Sequence, residues 1–342
     1  VFYGDMMTPR ERVLAALAHK QPDICPWHIC FTIPARERLA QALGTADLEN
    51  ACGNHFAKIE AVPPDAWRET EPDFWTDEFG VIWDRTLDKD IGNVDHSRLV
   101  LPEPDLARLE FPDPLSRERF AGHSAFCREN PDLFRVNDFG FTLYERAWTL
   151  RGVENLLMDM VERPQFVDDL LDRILEWNLK IVEGVSRYPV DAILFGDDWG
   201  QQHGLIMGPE LWRRFIKPRA AEEYRACHAA GMKVLIHSCG DVSSIFDDLI
   251  EIGVDMFNPF QPEVMDIVDI KKRYGGRIAF YGGMSTQNIL PYGSPQDVRE
   301  ETRRLIDIIG AGGGYVFSPA HDTPKDVPVE NMLAMLDVLK SQ

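Results

Sequence analysis

The stretch K-V-L-I-H-S-C-G-D-V-S-S-I-F-D-D-L-I-E-I-G-V-D-M-F-N, Lys233–Asn258, decides the fold. Lys233–His237 is a short apolar run of strand length. Val242–Ile252 carries the apolar spacing of a helix, with Ser243 and Ser244 near its start. Val254–Asn258 is a second short apolar run. Val234–Ile236 and Met256–Phe257 are apolar on consecutive residues rather than alternate ones, which suits strands buried on both faces. A strand, a helix and a second strand in so few residues predict a right-handed parallel β-α-β unit.

The same unit repeats through the C-terminal half. Strands are expected at Ala192–Gly196, Ile278–Tyr281 and Gly314–Phe317, and helices at Pro209–Ala230, Met265–Tyr274, Ser294–Ile309 and Val329–Ser341. Ser294 caps its helix, with Pro295 in the first turn. The N-terminal half is less regular. Thr8–Ala18 is a helix with Thr8 as cap and Pro9 following it. Pro26–Cys30, Phe56–Val62 and Leu133–Asp138 are candidate strands, with helices at Ala35–Leu43, Tyr144–Leu150 and Pro164–Ser186. Residues 65–130, rich in Trp, Asp and Pro, form an excursion bearing a hairpin. Eight strands predict a single (β/α)8 barrel over residues 1–342, with the N-terminal helical segment at about 1–25. Such barrels run to about 250 residues plus insertions. A doubly wound open sheet is the alternative.

Composition narrows the function. The 342 residues are 44% hydrophobic and 27% charged, and the net charge is −20. That charge argues against nucleic acid or an anionic membrane surface as partner. No run approaches the ~20 apolar residues of a membrane-spanning helix, and Val1–Arg12 lacks the apolar core of a signal peptide. Six Cys in a chain of this length form no dense disulfide framework; free thiols in a reducing, cytoplasmic setting are expected.

Two motifs carry the chemistry. H-S-C-G at 237–240 and S-P-A-H-D at 318–322 each follow an apolar strand directly. His237, Cys239 and a distant His321 make three N/S donors with a fourth position open, the pattern of a catalytic zinc. A lone His-x-Cys is a weak signal, since Cys also serves as a small buried hydrophobe. Position strengthens it, because barrels bind ligands where strands end. Other polar groups fall at the expected strand ends: His28, Asn137, Asp138, Asp197, Asp198, Gln201, Asn258, Gln261, Ser285 and Asp322. Each is a candidate for substrate binding or for an ordinary cap or turn.

The motifs G-D-D-W-G-Q-Q (196–202), M-G-P-E-L-W-R-R-F-I-K-P-R (207–219), H-S-C-G-D (237–241), Y-G-G-M-S-T-Q (281–287) and S-P-A-H-D-T-P (318–324) resemble the uroporphyrinogen decarboxylase superfamily. M-T-P-R-E-R-V-L-A-A-L (7–17) is similar to its first helix. The resemblance runs from about 190 to 340 and implies a (β/α)8 barrel. The R-Q-A-G-R segment of the tetrapyrrole decarboxylases is replaced here by W-H-I-C-F-T (27–32). The chain is more similar to the zinc-dependent methyltransferases that work with corrinoid proteins, whose ligands are His-x-Cys and a later Cys. Here His321 stands at the place of that Cys.

The resemblance implies Zn2+ on His237, Cys239 and His321, and a corrinoid supplied on a separate protein. It implies a small methyl donor or acceptor as substrate, with no nucleic acid and no membrane; a homodimer is left open. Two His and one Cys leave more positive charge on zinc than one His and two Cys, which favours an oxygen leaving group. O-demethylation of a methoxylated compound is therefore expected. In that reading Asp197 and Gln201 orient substrate, and Glu145 or Asp322 protonates the leaving group or holds a ligand His. Trp27, Phe31, Phe139, Phe141, Tyr144 and Trp199 line an aromatic pocket or belong to the core. The competing readings are a metal-free decarboxylase using Arg36, Arg146 or Arg151, a metal-dependent hydrolase and a non-enzymatic binding protein.

Overall fold

Seven parallel strands lie side by side in chain order: β1 Phe56–Glu60, β2 Phe134–Phe139, β3 Ala192–Gly196, β4 Lys233–His237, β5 Met256–Phe260, β6 Ala279–Met284 and β7 Tyr315–Pro319. The computed structural model of the chain describes residues 6–87, 89–90 and 92–342. Val1–Asp5, the start of the stretch read for a signal peptide, lies outside them.

The eighth stave is the segment around Trp27. The His28 amide donates to the Phe317 carbonyl, the Phe317 amide to Pro26 and the His55 amide to Trp27. This segment therefore joins β7 to the residue before β1 and closes the barrel. It is not the regular strand expected at Pro26–Cys30: only isolated bridges, Trp27 to Phe317 and Phe31 to Thr323, are formed. Pro26 has no N–H to give to a ladder, which fits this irregularity.

Alternation along the strands sorts the core in two. Phe56, Phe134, Val136, Ala192, Leu194, Leu235, Met256, Ala279, Tyr281 and Val316 form one buried cluster, the barrel interior. Their neighbours Ile193, Phe195, Val234, Ile236, Phe257, Phe280 and Phe317 belong to the second cluster, packed against the helices. The period of two makes this division automatic.

Val13 and Leu17 join the interior cluster from the helix Pro9–Leu17. A capping box between Thr8 and Glu11 starts this helix. Its ends are tied to the barrel floor, the Arg10 amide donating to Asp132 and the Gly314 amide to Ala16. The N-terminal end of the barrel is thus plugged, and the opening lies at the C-terminal ends of the strands.

The excursion contributes a four-stranded antiparallel sheet, Trp67–Glu71, Phe74–Asp77, Ile82–Asp84 and Asn93–Val94. Buried Asp77 pins it to the barrel: its carboxylate accepts from the amides of Phe79 and Val81 and from Arg146 at 2.9 Å. The long helix expected at Pro209–Ala230 is divided into Gly208–Leu211, a π-helical turn Trp212–Ile216 and Lys217–Ala229. Pro218 lies just past the π turn. It has no N–H for the carbonyl one turn back, and the wider turn absorbs that loss. Among the described residues no helix is long and apolar enough to cross a membrane.

Candidate functional site

Inward positions at the upper ends of the strands follow from the same alternation. Above Leu235 come His237 and Cys239; above Met256 comes Asn258; above Leu194 come Gly196 and Asp198. His237, Cys239 and His321 offer donor atoms that lie within 4.8 Å of one another. Cys239 Sγ stands 3.4 Å from His237 Nε2. The His237 and His321 rings meet edge to face, their centroids 5.6 Å apart.

Hydrogen bonds assign the His237 tautomer. The Asn258 amide nitrogen donates to the Tyr281 carbonyl at 2.9 Å, which turns its oxygen towards His237. His237 Nδ1 therefore donates to that oxygen at 2.6 Å and leaves the Nε2 lone pair facing Cys239. An imidazole held through its far nitrogen is what a metal ligand requires. At His321, Nδ1 accepts from the Asp322 amide at 2.8 Å. A metal taken at Nδ1 displaces that donor, and one taken at Nε2 needs the other tautomer. Desolvation, followed by the proximity of His237, lowers the basicity of His321 and keeps its ring neutral.

The Cys239 loop is set from beneath by Asp198, which accepts from the Cys239 amide at 2.7 Å. Burial and the Asp198 and Glu145 carboxylates push the Cys239 thiol up. In the apo protein it is a thiol, and a divalent cation is what would hold it as a thiolate. Tetrahedral N and S ligands on zinc stand roughly 3.3–3.8 Å apart. The His237–Cys239 pair already does so, and the three-donor set fits zinc after a small closure of His321.

Gln201, Gln202, Gln261, Thr286 and Gln287 line a cavity of about 300 Å³ with Cys239 and His321. Gln201 and Gln261 are thus beside the metal donors. Gln261 also accepts from the Gly240 amide at 3.3 Å. Glu145 stands near Asp198 and Cys239; burial, then Asp198 and Asp197, raise its pKa well above the usual carboxylate range.

Four expected site residues face elsewhere. Asn137 is odd in the alternation of β2, points out of the barrel and hydrogen-bonds His123 Nε2 at 3.0 Å. Asp197, 1% exposed, accepts from the amides of Tyr144 and Glu145 at 3.1 and 2.7 Å and from Trp199 Nε1 at 2.6 Å. It anchors the start of the helix Tyr144–Arg151 and does not reach the opening. Burial still raises its pKa, to about 7, against the pull of those three donors. Tyr144 and Trp199 are buried in the outer core. The expected aromatic pocket is therefore not at the metal donors. Trp27 is core, and Phe139 and Phe141 line a separate cavity of about 380 Å³ between barrel and antiparallel sheet. Arg36, Arg146 and Arg151 pair with Glu49, Asp77 and Asp159.

The opposite wall holds residues that strand ends alone did not disclose. Lys58, inward above Phe56, donates to Asp138, inward above Val136, at 3.1 Å. His28 stacks on Phe56 at 5.2 Å and its Nδ1 lies 2.6 Å from the Tyr281 hydroxyl. Cys30 Sγ is 3.7 Å from His28 Nδ1. Alternation from Phe56 is the signal that finds Lys58.

Comparison with known proteins follows the geometry. The family model "Uroporphyrinogen decarboxylase (URO-D)" matches residues 141–342, more than half of the chain. The uroporphyrinogen decarboxylase of Methylococcus capsulatus is 25% identical over 254 residues, covering 69% of this chain and 68% of that protein. That of Ruthia magnifica is 21% identical over 180 residues, 53% of this chain and 50% of the relative. Apart from the Methylococcus protein, the chain spans about half the length of these curated relatives. Among solved structures, a methyltransferase from Methanosarcina mazei superposes with a TM-score of 0.75 at 18% identity, covering 98% of this chain and 99% of that one. At that identity the likeness speaks for the fold. The eight-staved barrel and the family match together place this chain in the uroporphyrinogen decarboxylase family.

Proposed function

We propose that this chain is a zinc-dependent methyltransferase that moves a methyl group between a small methylated substrate and a corrinoid carried on a separate protein. O-demethylation of a methoxylated compound is the favoured direction. The observation that carries the proposal is the convergence of His237, Cys239 and His321 at the barrel opening, with Asn258 fixing His237. When bound, zinc supplies Lewis acidity towards the leaving oxygen. His237 and Cys239 hold it from one loop and His321 from another. Gln201 and Gln261 offer amide donors and acceptors to a polar substrate in the adjoining cavity. Glu145, whose pKa burial raises, would give its proton to a departing oxyanion. Asp197 acts at one remove by anchoring the helix that carries Glu145.

A second reading, a metal-free decarboxylase, draws on the names of the curated relatives. Metal analysis separates the two. The methyltransferase reading expects about one zinc per chain in the wild type, lost in His237→Ala and Cys239→Ala. It also expects methyl transfer from a methoxylated substrate to a Co(I) corrinoid protein, falling by at least ~100-fold in both variants. Full transfer by either variant, or a wild type with no stoichiometric metal, refutes it.

A further inference from the structure

The wall of the barrel across from His237 and Cys239 carries a cation that the reading above leaves unused. Lys58 projects inward above Phe56, whose ring packs against His28 and Tyr281. Its ammonium makes a single hydrogen bond among the described residues, to Asp138. A lysine ammonium has three donors, so two of Lys58's point away from any partner. The side chains of Lys58 and Asp138 remain 24% and 30% exposed, and Asp138 lines the cavity between barrel and antiparallel sheet.

Both walls look onto one space. Tyr281, packed on Phe56 beneath Lys58, gives its carbonyl to the same Asn258 side chain that holds His237. Among the inward upper positions of the described strands, Lys58 is the one Lys or Arg. Of the carboxylates nearby, Asp138 is engaged by Lys58 and Asp198 by the Cys239 amide, and Glu60 follows Lys58 on the same face of its strand. Lys58 is thus the cation in the opening that has donors to spare for an anionic ligand.

We propose that Lys58 receives a carboxylate of the substrate, anchoring a small methylated acid across the barrel mouth from the metal donors. One end of the molecule is held by the ammonium and the other is presented to His237, Cys239 and His321. Asp138 acts as a positioning residue, holding the ammonium in place, and competes with the ligand for it. The word methylated rests on the function proposed above; the preference for an anion rests on Lys58 alone.

The test is calorimetric titration of the full chain with two acid and amide pairs, methoxyacetate against 2-methoxyacetamide and 4-methoxybenzoate against 4-methoxybenzamide. In each pair the shape is retained and the charge removed. At least one acid is expected to bind tenfold or more tightly than its amide. Lys58→Met should abolish that preference and Lys58→Arg should retain part of it. Asp138→Asn, which removes the competing negative charge, should tighten the acid. If circular dichroism shows Lys58→Met to be unfolded, the double variant Lys58→Met/Asp138→Asn, which leaves no lone charge, takes its place. Equal binding of acid and amide, no binding of either acid, or a preference that survives loss of Lys58 overturns the proposal. A chain that prefers the acid but holds no zinc refutes methyl transfer and leaves the anion site standing. A zinc-loaded, active chain without the preference refutes the anion site alone.

Discussion

At the scale of single residues, the site depends on which way a few side chains are made to point. Asn258 is the clearest case. It touches no substrate in the proposed scheme, but its oxygen fixes the His237 tautomer through a 2.6 Å bond to Nδ1. Partners of this kind are typically worth 10–100-fold in metal affinity. Asn258→Ala is therefore expected to weaken zinc by about that factor while leaving the fold intact. Competition with a chromophoric chelator measures it, and unchanged affinity would show that the barrel alone orients His237. Asp197 is the opposite case. From the sequence it stands beside Asp198 and looks equivalent to it, yet the two carboxylates face opposite sides of the strand end. Asp198 braces the Cys239 loop and Asp197 anchors a helix.

At the scale of elements, the Cys239 loop is shaped by a backbone crossing. The short hairpin of Gly200–Gln201 and Gly204–Leu205 packs directly on it. A Cβ on Gly240 would meet the Gly200 carbonyl carbon at 2.3 Å and the Gln201 amide nitrogen at 2.4 Å. Gly240 also has φ +82°, where a side chain is strained. A Cβ on Gly200 would meet the Cys239 oxygen at 2.4 Å. The Asp241 amide then ties the loops by donating to the Gln201 carbonyl. Gly240→Ala must therefore push hairpin and loop apart and carry Cys239 with them. The expected outcome is at least a tenfold loss of zinc affinity with far-ultraviolet circular dichroism unchanged. Wild-type affinity in this variant would mean that the loops move apart without disturbing the ligands.

At the scale of the whole molecule, buried carboxyls set the dependence of stability on pH. Glu223, 1% exposed, lies between two helices of the outer layer and accepts from Asn178 Nδ2 at 2.7 Å. Burial raises its pKa to about 8, and that of Asp197 to about 7. In the unfolded chain both lie near about 4. Between these limits the native state holds more protons than the unfolded state. The contribution of these two carboxyls to stability therefore falls as pH rises from about 4 to about 8. Below the unfolded values both states are protonated and the effect vanishes. Glu223→Gln keeps an acceptor for Asn178 and removes the ionisation. Its melting midpoint should match wild type at pH 5 and exceed it at pH 8 by on the order of 2 °C or more. A midpoint equally changed at both pH values would mean that packing, not ionisation, is at stake.

The sequence by itself pointed to the barrel, with a doubly wound sheet as the alternative, and to the three candidate metal donors. Consecutive apolar runs and helical spacing are local properties, and they place seven strands and the capped helices at Pro9 and Pro295 with little help from the rest of the chain. H-S-C-G and A-H-D stand out because each directly follows such a run. Tertiary structure alone decided the rest. The first stave is held by hydrogen bonds to segments far away in sequence, so its irregularity has no local sign. Facing is a register property, and a shift of one residue reverses it. Asn137 and Asp197 were thus legible as strand-end residues but not as outward ones, and Lys58 became a site residue only once Phe56 was seen to lie inside. The distance from His237 to His321 belongs to neither segment. It exists because closing the barrel brings β4 and the loop after β7 to the same opening.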